Sequence, residues 1–131
     1  MGIEEALVLV VDDEPAICRM VPQMLELEGY RAEGVLDGPS ALLRLAQEPL
    51  PDVVLLDIMM PGMDGFSVLQ EIKSNPATAH LPVGMVSAKK DPLASRRAVA
   101  GGAVGLIDKP FEIQELLELI ELALRSVQAP T

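Results

Sequence analysis

The feature that most constrains this 131-residue chain is a rhythm, in which short apolar runs closed by a polar or acidic residue alternate with stretches of helical apolar spacing. Residues 6–11 open it, rich in β-branched side chains and without polar alternation, the pattern of a strand buried on both faces. Acidic residues follow at once. Asp13-Glu14-Pro15 reads as a helix start with Asp13 as the cap, and Ile17, Met20, Val21, Met24, Leu25 and Leu27 continue at helical spacing up to Gly29. Pro22 falls inside that pattern and is expected to kink the helix or remove one backbone hydrogen bond.

The rhythm then repeats. Residues 30–36 form a weaker strand pattern, and Gly38-Pro39-Ser40 opens a helix carrying Ala41, Leu42, Leu45 and Ala46. Residues 52–57 read as a buried strand ending in Asp57, followed by a loop over 61–65 and a helix over 66–74. Residues 82–87 supply a fourth strand, ending in Ser87. Asp91-Pro92 is a cap with proline in the first turn, so a helix is expected from there to Gly101 and Gly102. Residues 103–107 make the fifth strand. Beyond Lys109-Pro110, a helix over 112–127 places Ile113, Leu116, Leu117, Ile120 and Leu124 on one stripe, read as its core side. Strands and helices in strict alternation with short connections predict an α/β fold: an open parallel sheet covered on both faces. The length suits one domain over residues 1–131, with a core over about 6–127 and a tail or linker start over 128–131.

Composition narrows the function classes. Half of the residues are hydrophobic but only 2% are aromatic, so the core must be aliphatic, and the formal net charge is −10. An acidic body repels phosphate backbones and anionic lipid, which argues against DNA or membrane binding by this chain alone. Cys18 is the only cysteine, which excludes an internal disulfide and suits a buried helix position. The apolar runs fall far short of the roughly 20 residues a spanning helix needs, and the first residues lack a secretory pattern. A cytoplasmic location is expected.

Asp12-Asp13, Asp57, Ser87 and Lys109 all follow strands, and in parallel α/β sheets that carboxyl edge is where ligands bind. Singly these residues are ordinary, since paired aspartates and serines commonly cap helices. Together, three carboxylates at one edge repel unless a cation sits among them. Mg²⁺ or Mn²⁺, hard ions that take oxygen ligands, fit that donor set, and Lys109 supplies a further positive charge.

In order and spacing, Asp12-Asp13-Glu14-Pro15, then Asp57 with Met60-Pro61-Gly62 and Asp64-Gly65, then Ser87-Ala88 and Lys109-Pro110-Phe111, resemble the receiver domains of two-component signalling, of the chemotaxis-regulator type. The likeness runs over residues 7–124. It implies a flavodoxin-like (β/α)5 fold with strand order 2-1-3-4-5. It also implies that Asp57 accepts a phosphoryl group from the phosphohistidine of a histidine kinase or phosphotransfer protein. On the same resemblance Asp13 and Asp57 bind the metal directly, Asp12 holds it through water, and the Met59 backbone carbonyl completes the protein ligands. Ser87 would hydrogen-bond a phosphoryl oxygen, Lys109 would pair with Asp57 and then with the phosphoryl group, and Lys109-Pro110 would be cis. Such a domain is a switch that turns over no external substrate.

Two positions depart from the family pattern. Leu106 stands where receivers usually carry an aromatic residue or histidine that swings inward with the hydroxyl residue, so that rotamer switch is absent. Met59 and Lys89, two residues beyond Asp57 and Ser87, lie where similar proteins flank the hydrolytic water, and they are expected to tune the phosphoryl lifetime or to be plain loop side chains. In the family the fourth helix, fifth strand and fifth helix form a face for dimerisation or effector docking. Leu119 and Leu122 fall nearly opposite the assigned core stripe, among Glu115, Glu118 and Ser126, and Arg96 and Arg97 are placed to pair with glutamates of the fifth helix. His80 reads as solvated, and Met59, Met60 and Met63 as loop packing rather than a soft-metal site. Two other classes compete with the switch: a Mg²⁺-dependent phosphohydrolase with an aspartate nucleophile, and a binding module that works without phosphorylation.

Overall fold

The structure is a computed structural model and describes residues 6–88 and 92–128. The apolar runs become five strands: β1 (Leu7–Val11), β2 (Arg31–Val35), β3 (Val53–Asp57), β4 (Val83–Ser87) and β5 (Gly105–Asp108). Between and after them lie α1 (Pro15–Leu27), α2 (Gly38–Leu45), α3 (Gly65–Ser74), α4 (Pro92–Ala100) and α5 (Ile113–Gln128). All strand pairings are parallel, in the order β2-β1-β3-β4-β5. No helix among the described residues is long and apolar enough to cross a membrane.

Because successive strand side chains point to opposite faces, the uninterrupted apolar runs feed two cores at once. From β1, Leu9 and Val11 join Val54, Leu56, Val83 and Met85 under α2, α3 and α4, beside Ala41, Val68, Ile72 and Ala98. Val8 and Val10 join Val53 and Leu55 on the other face, under Val21 and Leu25 of α1 and Leu116, Leu119 and Ile120 of α5. β3, central and buried at every residue, delivers Asp57 to the carboxyl edge with its side chain only 2% exposed.

Two local expectations are corrected, the cap of α1 and the start of β5. The cap of α1 is Glu14 rather than Asp13, with no side-chain cap bond; its own amide donates to the Asp12 carboxylate at 2.9 Å. α1 runs as one helix through Pro22, whose ring is buried, and the expected loss of one backbone hydrogen bond follows from its missing amide N–H. β5 begins at Gly105 rather than 103, because Ala103 and Val104 close the turn after α4, with amides bonded to Ala98 and Val83 carbonyls. Asp91, the expected cap of α4, lies outside the described residues.

Candidate phosphoryl and metal site

Three loops at the carboxyl edge bring the charged groups together. Carboxylate oxygens of Asp12, Asp13 and Asp57 all lie within 4.8 Å of one another, with Asp12 and Asp57 buried and Asp13 partly so. Both Asp12 oxygens are engaged: one accepts from the Glu14 amide at 2.9 Å, and the other pairs with the Lys109 ammonium at 2.8 Å. Lys109 lies 3.6 Å from Asp57 and 3.6 Å from Glu14. Its nearest anion is therefore Asp12, with the expected partner Asp57 also within ion-pair range. The Lys109 amide donates to the Ser87 carbonyl at 2.7 Å, so the ends of β4 and β5 are tied together behind the lysine. Ser87 itself is 4% exposed. The Lys109-Pro110 bond is cis, as expected, and so is Glu48-Pro49.

The electrostatics are those of an anion-rich pocket short of cations. Burial, reinforced by the Asp12 carboxylate, pushes the Asp57 carboxyl up to about 6; Lys109 opposes this, Asp13 adds to it, and the Met59 amide offsets a little. Burial works against charge on Lys109, but Asp12, Asp57 and Glu14 outweigh it and hold the ammonium above the usual lysine range. Asp57 Oδ1 is buried and has no hydrogen-bond partner. A buried carboxylate oxygen left unpaired is costly, and a hard divalent cation among three carboxylates would satisfy it. The donor set fits Mg²⁺ or Mn²⁺.

The loop after β3 is shaped by a close approach of backbone to backbone. The Gly65 amide donates to the Ile58 carbonyl at 2.9 Å, and a Cβ on Gly65 would collide with the Asp57 carbonyl oxygen. Only glycine lets α3 start this close to the acidic strand end. Asp64 then caps α3, accepting from the Ser67 amide at 2.9 Å.

Comparison with known proteins decides the family. The profile described as response regulator receiver domain matches residues 8–121. The chain belongs to the response-regulator receiver family. Response regulator PleD of Caulobacter vibrioides is 40% identical over 107 residues, 82% of this chain and 23% of the relative. Probable transcriptional regulatory protein TcrX of Mycobacterium tuberculosis is 40% identical over 126 residues, 95% of this chain and 52% of the relative. The chain thus spans from about a quarter to about half of these relatives. Among solved structures, chemotaxis protein CheY4 of Vibrio cholerae superposes with a TM-score of 0.85 at 32% identity, covering 92% of this chain and 99% of that one.

The receiver domain keeps Asp12, Asp13, Asp57, Ser87 and Lys109 at one edge, while the expected output residues separate. Leu119 is not exposed: at 5% exposure it belongs to the core, over Gly84, where an added Cβ would come within 2.8 Å of it. The buried stripe of α5 is Leu116, Leu119, Ile120 and Ala123, with Ile113, Leu117 and Leu124 only partly covered. Leucines lie nearly all round this helix, so its wheel leaves the centre of the stripe open; the glycines at 84 and 105, which make room for Leu119, settle it. Leu122 is 43% exposed, as expected. Among the described residues no ion pair joins Arg96 or Arg97 to α5. Arg97 instead lies over the Phe66 ring, its guanidinium carbon 3.9 Å from the centroid. Leu106 packs partly into the α2-α3-α4 side of the core. The Met59 side chain is exposed beside Asp57, and Lys89 lies outside the described residues.

Cys18 was expected as packing alone. Its thiol, half-buried and pushed up chiefly by burial, has its single S–H shared between the Asp12 carbonyl at 3.1 Å and the Val35 carbonyl at 3.2 Å. It thereby tethers the backbone of the acidic pair. Its place on α1, six residues after Asp12, is the only sequence signal for that role.

Proposed function

We propose that this receiver domain takes a phosphoryl group onto Asp57 from the phosphohistidine of a histidine kinase or phosphotransfer protein, and that residues 1–131 act as one cytoplasmic switch domain. An Asp57 oxygen attacks phosphorus, the bond from phosphorus to the imidazole nitrogen breaks, and its electron pair leaves with the imidazole. Asp13 and Asp57, with the Met59 carbonyl, would hold Mg²⁺ or Mn²⁺ directly and Asp12 through water, an assignment that suits Asp12's two occupied oxygens. The ion, when bound, supplies positive charge against that building on the transferring group. Lys109 stays near Asp57 as a second cation, and the Ser87 hydroxyl serves a phosphoryl oxygen. The observation that carries this reading is a buried Asp57 oxygen without a partner beside two further carboxylates and an ammonium group.

Labelling from acetyl phosphate tests it. One phosphoryl group per chain is expected with Mg²⁺, and none with a chelator or in Asp57→Asn. No incorporation into the unsubstituted chain would favour a phosphorylation-independent binding module, and steady hydrolysis of a phosphate ester would favour a hydrolase. Met59, exposed at the rim, is placed to obstruct water, so Met59→Asn is expected to change the phosphate-release rate by about threefold or more; an unchanged time course removes that role.

The output face is assigned to the groove of about 270 Å³ between β5 and α5, where Leu106 and Leu122 lie beside Glu115 and Glu118. Leu106 precedes Lys109 by three residues on the same strand end, which supports a link from site to groove without an aromatic switch. A second copy or an effector would cover it.

A further inference from the structure

On the face away from that groove, α3 and α4 leave a second one of about 410 Å³, comparable with the lower end of ligand clefts. Its walls are Leu69, Ala100 and Gly101, with Phe66 and Arg97 toward one end and Lys73 toward the other. In a chain of net charge −10, the residues lining it include two cations and no carboxylate. Among the described residues neither cation is in an ion pair. Arg97 is stacked on Phe66 at 3.9 Å, and a guanidinium so stacked keeps its in-plane N–H donors free for a carboxylate. Lys73 gives two donors to the Ala79 and Leu81 carbonyls, at 3.1 and 2.6 Å, which fixes its ammonium and leaves a third donor. Both cations are thus held in place before any ligand arrives, which lowers the ordering cost of binding.

We propose that the α3–α4 groove docks an extended acidic segment of a partner protein, with one carboxylate on Arg97, a second near Lys73 and an apolar side chain between them over Leu69 and Ala100. Phe66 and Lys73 are seven residues apart on α3, about 10 Å along the axis, which about three residues of polyproline-II chain span while bringing the side chain back to the same face. The segment therefore reads acidic, two intervening residues at least one of them apolar, acidic. Phosphorylation of Asp57 is not required for this contact.

The test uses the full chain and an acetylated, amidated Glu-Leu-Ala-Glu peptide, followed by amide chemical shifts. Saturable shifts over residues 66–74 and 97–101 are expected, weakened by added salt and about tenfold weaker for the Gln-Leu-Ala-Gln peptide. Arg97→Gln is expected to weaken binding about tenfold. Ala100→Glu, which adds a carboxylate at an exposed position and removes no packing, is expected to do the same while leaving phosphoryl labelling intact. No saturable shifts at millimolar peptide, shifts centred on Lys109 instead, or equal binding of both peptides would overturn the proposal. Concentration-dependent shifts of the same amides in the chain alone would overturn it in favour of a second copy as occupant.

Discussion

Asp57 holds a carboxyl pushed up to about 6 by burial and by Asp12, well above the value near 3.9 of an unfolded aspartate. A group whose pKa is raised on folding binds protons more tightly in the native state, so its stabilising contribution is complete below the unfolded value and is lost as pH rises through about 6. The metal-free chain should therefore lose stability between about pH 4 and pH 6 from this residue. Asp57→Asn removes the buried charge but leaves Lys109 its closer partner Asp12. It is expected to stabilise the metal-free chain by about 1–3 kcal/mol at pH 7, with no gain at pH 4. Urea unfolding in chelator at both pH values checks this, and a destabilised variant at pH 7 would contradict the charge account. Mg²⁺ should reverse the order, since it binds only the carboxylate form. The acidic residues, Ser87 and Lys109 were legible in the sequence because each follows an apolar run that could only be a strand. Which carboxylate lies nearest the Lys109 ammonium, Asp12 at 2.8 Å ahead of Asp57 at 3.6 Å, is side-chain geometry that the order of residues does not set. The tether from Cys18 had only its place six residues after Asp12 as a sign, because it requires knowing that α1 and β2 converge on the Asp12 backbone.

At the scale of elements, the centre of α5's buried face turns on what the sheet beneath it lacks. Gly84 and Gly105 leave the space that Leu119 fills: a Cβ on Gly84 would stand 2.8 Å from two Leu119 carbons, and one on Gly105 3.2 Å from a third. Gly84→Ala is expected to cost about 1–3 kcal/mol by overpacking, and Leu119→Ala about 2–4 kcal/mol by cavity formation. The double variant should cost less than the sum, because the alanine methyl at 84 partly fills the space left at 119. Denaturant unfolding of the three variants measures the coupling; strict additivity would mean the two residues do not share that space. The strands and helices were legible in number and order, since β1, β3 and β4 are buried at every residue and read as continuous apolar runs. β2 read weakly for a physical reason: it is an edge strand, with three of its five residues exposed, so little apolar pattern is required of it. β5, the other edge, is only half-buried throughout, and its start was misplaced by two residues.

Over the whole molecule, the phosphoryl site and the assigned output groove share one strand. Asp57 reaches Lys109 at 3.6 Å, the Lys109 amide is tied to Ser87, and three residues back along the chain Leu106 lines the groove that Leu122 borders. On the proposed function, phosphorylation would place new negative charge where Lys109 now faces three carboxylates and would offer the ammonium, at the end of β5, a different partner. A ligand shifts an equilibrium only as far as its affinity differs between the two states, so the proposed coupling of site to groove requires that the two states of Lys109 differ in how well the groove accepts a partner. Phosphorylated chain is expected to self-associate through this groove. Leu122→Glu places a charge beside Glu115 and Glu118 on both faces of a symmetric contact, and should weaken that association by at least about tenfold. Because Leu122 is exposed and is not among the residues of the Asp12-Asp13-Asp57 cluster, labelling of Asp57 should proceed normally in the variant. Sedimentation with and without acetyl phosphate separates the outcomes: association lost with labelling intact supports the groove, whereas equal association in both chains moves the output elsewhere on the molecule.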